Sequence, residues 1–119
     1  MKIAFPTRDD QTIPGHFGHM KALIVVEVVD GEEISRERRD MSDMPECGDG
    51  HQERPAFVVN VIKDCDVLIA GGIGAPLVQR ANAVDVDVVL TDTPSINDAL
   101  ARYLAGTLDH NPELAHHHH

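Results

Sequence analysis

The sequence predicts an α/β protein in which a β-hairpin leads into alternating helices and strands, with helices covering both faces of one sheet. Three observations carry this. The run Ala22-Leu23-Ile24-Val25-Val26-Glu27-Val28-Val29 is followed at once by Asp30-Gly31 and a charged run from Glu32 to Asp40. An Asp-Gly pair between two strand-like runs is a strong hairpin signal. Further on, Asp66 to Ala70 and Asp85 to Thr91 are short and continuously apolar, as expected of strands buried on both faces. The segments between them have helical spacing.

Met1 to Pro6 reads as a short buried strand, and Thr7 to His19 as a polar, glycine-containing loop. The charged run from Glu32 to Asp40 suits a sheet edge, where charge discourages pairing with other chains. Met41 to His51 is a second loop, broken by Pro45, Gly48 and Gly50. A helix from Glu53 to Asp64 tolerates Pro55 in its first turn and presents Phe57, Val58, Val61 and Ile62 as its apolar face. Gly71 to Gly74 reads as a turn and Ala75 to Ala83 as a short helix. Ser95 with Asp98 forms a variant capping box. The helix it opens runs to Ala105, burying Ile96, Leu100, Tyr103 and Leu104, and Gly106 ends it.

Right-handed crossovers place the loops after the first, fourth and fifth strands on one carboxyl edge. His16, His19, the Gly71–Gly74 turn and the Asp92–Ser95 loop are therefore expected near one another. The pattern leaves open where the loop bearing Cys47 and His51 lies.

A chain of 119 residues is expected to form a single domain over 1–108, followed by a polar tail over 109–119. With one Tyr, three Phe and no Trp, aliphatic side chains must fill the interior. A net charge of −10 opposes general binding to nucleic acid or to anionic membrane, which needs Lys and Arg in number. Two cysteines, Cys47 and Cys65, do not make a disulfide framework. With no signal-peptide pattern and no apolar run near the ~20 residues of a membrane helix, a cytoplasmic protein with reduced thiols is expected.

The chemistry-bearing residues are few. His16 and His19 flank Phe17-Gly18, and neutral imidazoles on a loop suit iron, zinc or copper. The plain alternative is two surface histidines. Cys47 and His51 offer a thiolate and an imidazole to a soft or borderline metal, or else an incidental thiol on a loop. A four-ligand site from His16, His19, Cys47 and His51 requires the two loops to meet. Gly71, Gly72 and Gly74 match neither a dinucleotide fingerprint nor a phosphate loop, but free amides there can hold an anion. Cys65 reads as a small buried hydrophobe. Asp9, Asp10, Glu27 and Asp92 raise a two-metal nuclease, which needs them to converge. No Gly-x-Ser-x-Gly elbow or Ser-His-Asp set is present, so enzyme action is not expected. His116 to His119 read as a purification-tag remnant, with a native metal-binding tract as the alternative.

The Met-Lys-Ile-Ala first strand, the His16-Phe17-Gly18 loop, the Asp30-Gly31 hairpin and Asp66-Val67-Leu68-Ile69-Ala70-Gly71-Gly72-Ile73-Gly74 together resemble the dinitrogenase iron–molybdenum cofactor biosynthesis family. The resemblance is to its small NifX-like and NifB-C-terminal-like domains and spans roughly 1–108. It implies a ribonuclease-H-like three-layer α/β/α sandwich with a five-stranded mixed sheet. It also implies binding of an iron–sulfur-type cluster, with His16 as the best candidate contact.

The expectation is a cytoplasmic carrier of an iron–sulfur-type cluster or iron–molybdenum cofactor precursor, exchanging cargo with a cluster-donating or cluster-receiving protein. His16, Gly71, Gly72 and Gly74 are its cofactor-binding candidates; His16, His19, Cys47 and His51 are its metal ligands. The rivals are a zinc-binding module on the same imidazoles and a metal-free interaction domain, dimeric through the hairpin edge.

Overall fold

The computed structural model describes residues 1–14, 21–41, 53–108 and 115–116. Its elements are β1 (Lys2–Thr7), β2 (Ala22–Val29), β3 (Glu32–Asp40), α1 (Glu53–Ile62), β4 (Val67–Ala70), β5 (Ile73–Gly74), α2 (Ala75–Ala83), β6 (Asp87–Leu90), α3 (Ile96–Ala105) and β7 (Ala115–His116). Five strands form a mixed sheet in the order β3-β2-β1-β4-β6. The β1–β2 and β2–β3 pairs are antiparallel, whereas β4 lies parallel to both β1 and β6.

The hairpin forms where Asp30-Gly31 predicts it, both residues having positive φ (54° and 79°), the backbone that a tight two-residue turn requires. The charged strand β3 is the edge, as expected, and is exposed along nearly its whole length.

Alternation along the central strands divides the interior in two, because successive side chains point to opposite faces. Ala4, Leu23, Val25, Leu68 and Ala70 pack with Val58 and Ile62 of α1 and Leu77 and Ala81 of α2. Ile3, Phe5, Ile24, Val26, Val67 and Ile69 pack with Ile96, Ala99 and Leu100 of α3. Helices thus cover both faces, which is why these strands are apolar throughout.

Helix α3 follows its local signals closely. Ser95 Oγ accepts from the Asp98 amide at 3.3 Å, and Gly106 closes the helix in the left-handed conformation at φ 75°. The expected apolar face needs one correction: Leu104 is 36% exposed, whereas Ala99 is fully buried. At 3.6 residues per turn Leu104 lies about 80° around the helix from Ile96, at the flank of the buried stripe. A second departure concerns Gly71–Gly74. Ile73 and Gly74 pair in parallel with Ala115 and His116, so the end of the expected turn is a short strand covered by part of the tail.

Arg39 of β3 braces the far end of α1. Its Nη1 donates to Val61 O at 2.6 Å and to Asp64 Oδ1 at 2.7 Å, and its Nη2 donates to Asp64 Oδ2 at 2.8 Å. Lys2 Nζ adds a contact to Asp64 at 3.3 Å. The Arg39 hydrogen bonds, and secondarily that of Lys2, hold the Asp64 carboxyl well below its usual range. A carboxylate depressed in the folded state stabilises fully above its unfolded pKa, and that contribution drains as pH falls further. Asp64→Asn should therefore lower unfolding free energy at pH 7 by about 1 kcal/mol, a value reduced for the partly exposed, solvent-screened pair. Urea titrations at several pH values should show the gap to wild type closing below pH ~4. A gap that does not narrow between about pH 5 and pH 2 contradicts this account.

Candidate functional site

Because β1, β4 and β6 are parallel, their carboxyl ends, Thr7, Ala70 and Leu90, lie along one edge of the sheet. Backbone bonds tie the following loops together there. Thr91 N donates to Ala70 O at 2.9 Å, extending the β4–β6 ladder to the residue before Gly71. The loop after β1 crosses to the loop after β6: Ile13 N donates to Pro94 O at 2.7 Å and Ile96 N to Gln11 O at 3.0 Å. Thr12 and Ser95 form an isolated bridge between these bonds. The convergence expected of the first loop, the glycine segment and the Asp92–Ser95 loop is thus met by their described residues. Gly71 is half-buried and Gly72 buried at this edge.

The same edge is where two further segments depart. Lys21 N donates to Thr7 O at 2.8 Å, and Met41 N donates to Lys21 O at 2.9 Å. Met41 is itself 2% exposed, packed among the residues facing α1 and α2. His16 and His19, between Pro14 and Lys21, and Cys47 and His51, between Met41 and Glu53, lie outside the described residues.

The buried polar residues among those described are three threonines, Thr7, Thr91 and Thr93, all at this edge. Thr91 Oγ1 donates to Thr93 Oγ1 at 3.1 Å, and Thr93 N donates to Thr91 Oγ1 at 3.2 Å. Arg102 Nη1 approaches Thr93 Oγ1 at 3.4 Å from α3. Sequence reasoning passed over them. The available signal was a threonine closing an apolar strand, Ala-Phe-Pro-Thr7 and Val-Val-Leu-Thr91.

Asp9, which the sequence offers only as a nuclease carboxylate, is instead bonded within its own loop. Its Oδ1 accepts from Gln11 N at 3.0 Å, Thr12 N at 2.8 Å and Thr7 Oγ1 at 3.3 Å, and Thr12 Oγ1 lies 3.0 Å from both carboxylate oxygens. These donors, the Gln11 and Thr12 amides foremost, lower its pKa to about 2. Asp10 has φ 67° and pairs with Arg38 Nε at 2.9 Å. Glu27 faces Lys2 in the register, at the opposite end of β1 from Thr7, about 16 Å away along the strand at 3.3 Å per residue. The carboxylates of the nuclease reading therefore do not converge. Among the described residues no group of three or more His, Cys, Asp and Glu is placed to hold a metal ion.

Cys65 lies elsewhere, buried beside the end of α1, as expected of a small core residue. Burial, with Asp64 beside it, pushes its thiol up to about 11. The thiolate is the form that ligates metal, and burial disfavours it here. No helix among the described residues is long and apolar enough to cross a membrane.

Comparison with known proteins agrees with this architecture. The chain is 31% identical over 112 residues to Protein NifX of Herbaspirillum seropedicae, covering 90% of this chain and 75% of NifX. Its fold is similar to the crystal structure of PH0822, with a TM-score of 0.76 at 21% identity over 96% of this chain and 99% of the other. The apo orange protein of Desulfovibrio gigas is similar at a TM-score of 0.73 and 18% identity, over 93% of this chain and 92% of that one. The family described as dinitrogenase iron-molybdenum cofactor matches residues 1–106. With that match over nearly all of the sheet and its helices, and with NifX as a relative, the chain belongs to the dinitrogenase iron-molybdenum cofactor family.

Proposed function

We propose that this protein is a carrier, not a catalyst, that holds an iron–sulfur-type cluster or an iron–molybdenum cofactor precursor and passes it to a partner protein. Its family and its likeness to NifX point to involvement in iron–molybdenum cofactor biosynthesis or binding. The observation that carries the finer reading is the pair of backbone rungs from Lys21 to Thr7 and from Met41 to Lys21. The segment bearing His16 and His19 and the segment bearing Cys47 and His51 depart from neighbouring positions on one edge. That supports a shared ligand set in which His16 is the principal contact and His19, Cys47 and His51 assist. Gly71 and Gly72, at the end of β4 on the same edge, offer backbone amides to an anionic cargo; Gly74 belongs with them in this reading. Few ligands on loops suit a cargo that must leave again.

The same reading extends to the architecture. A leading antiparallel meander, two parallel strands beyond β1 and helices on both faces support a three-layer α/β/α sandwich of ribonuclease-H-like type.

Anaerobic loading with ferrous iron and sulfide tests the proposal, using protein whose terminal histidines are replaced by serine. A broad charge-transfer absorbance that moves with the cargo to an acceptor protein is expected. Uptake of one equivalent of zinc with no cluster would favour a zinc module instead. Uptake of neither would leave an interaction domain.

A further inference from the structure

Among the described residues of the carboxyl edge, Asp9 gathers several bonds at one carboxylate. One carboxylate receives donors from Thr7 at the end of β1 and from Gln11 and Thr12 four to five residues later in sequence order. Beyond this latch the loop is pinned to the start of α3 through Gln11, Thr12 and Ile13, and the Ile13 side chain is buried against the α3 layer. Before the latch, Thr7 also accepts from Lys21, where the described chain resumes. The intervening Asp10 sits in the left-handed region, a backbone that persists in a non-glycine residue only when its surroundings hold it.

We infer that Asp9 is a positioning residue for cargo binding: by clasping Thr7, Gln11 and Thr12 it sets the direction in which the chain leaves the sheet edge at Pro14 and returns at Lys21. The inference rests on the carrier reading, because it assigns the clasp a purpose in holding cargo. Asp9 acts through its hydrogen bonds and not as a ligand, so the neutral isostere should replace it in part. Asp9→Asn keeps a carbonyl oxygen for the two amides; Asp9→Ala keeps none.

Two measurements on the full chain test this. In cargo-free protein, amide hydrogen exchange at Gln11, Thr12 and Lys21 should be about tenfold faster in Asp9→Ala than in wild type, as expected for the loss of a charge-assisted bond. Asp9→Asn, which keeps an acceptor but loses the charge, should fall between Asp9→Ala and wild type. After loading with ferrous iron and sulfide, Asp9→Ala should release its cluster about tenfold more readily, with Asp9→Asn again intermediate. Unchanged exchange at Lys21 in Asp9→Ala, or equal retention by both variants and wild type, overturns the inference. Failure of the wild type to load overturns the carrier reading, and the exchange data then still decide whether Asp9 sets the geometry of this edge.

Discussion

Phe5→Ala should cost about 3–5 kcal/mol of unfolding free energy, the range for deleting a fully buried phenylalanine from a packed core. Phe5 is completely buried in the layer between the sheet and α3, opposite Ile24 in the register and grouped with Ile69 and Ile96. The chain is poor in aromatic residues, so its interior is otherwise built from Val, Ile, Leu and Ala. No neighbouring ring is grouped with Phe5 in that cluster beyond the partly buried Tyr103. Aliphatic neighbours anchored to β-strand backbone collapse poorly into a void, which places the expected cost high in the range. Against a total stability of roughly 5–15 kcal/mol for a domain, the loss is severe. With a urea slope of about 2 kcal/mol/M, the midpoint should fall by about 2 M. Phe5→Leu retains most of the volume and should cost under about 1.5 kcal/mol. A loss below ~1 kcal/mol for Phe5→Ala would mean that this layer is not packed as described.

His16→Ala should lose most of the cluster absorbance under anaerobic loading, with retention weakened at least tenfold on the scale of about 10–100-fold seen when even a supporting residue of a metal site is removed. The argument is one of number. A carrier that releases its cargo relies on few protein ligands, so the loss of the principal one cannot be spread over many others. The fold should be untouched, since the described strands and helices build both layers without His16 or its segment. Circular dichroism and the urea midpoint of the cargo-free variant are thus expected to match wild type. Equal loading of His16→Ala and wild type would remove His16 from the proposal and shift the ligand role to His19, Cys47 and His51.

Much of the fold could be read from local sequence. The hairpin at Asp30-Gly31, the edge strand Glu32–Asp40, the helix Ala75–Ala83 and the Ser95 and Gly106 ends of the last helix all appear where expected. Each depends on neighbours in sequence: an Asp-Gly turn, a run of charge, a capping oxygen, a glycine able to turn left-handed. The side-chain periods of 2 and 3.6 residues likewise assign Ile3 and Phe5 to one face and Ala4 to the other.

The candidate site was legible only as a neighbourhood. Parallel strands after right-handed crossovers predict a common edge, but not which atoms meet there. The tertiary structure decided that Gln11–Ile13 lie against Pro94–Ile96, that Lys21 bridges Thr7 and Met41, and that Ala115–His116 cover Ile73–Gly74. These contacts are made by backbone N–H and C=O groups, which every residue but proline carries alike, so no side-chain pattern announces them. The clasp of Asp9 and the burial of Thr7, Thr91 and Thr93 follow from those contacts, because short polar side chains can be buried only where the fold brings a partner to them.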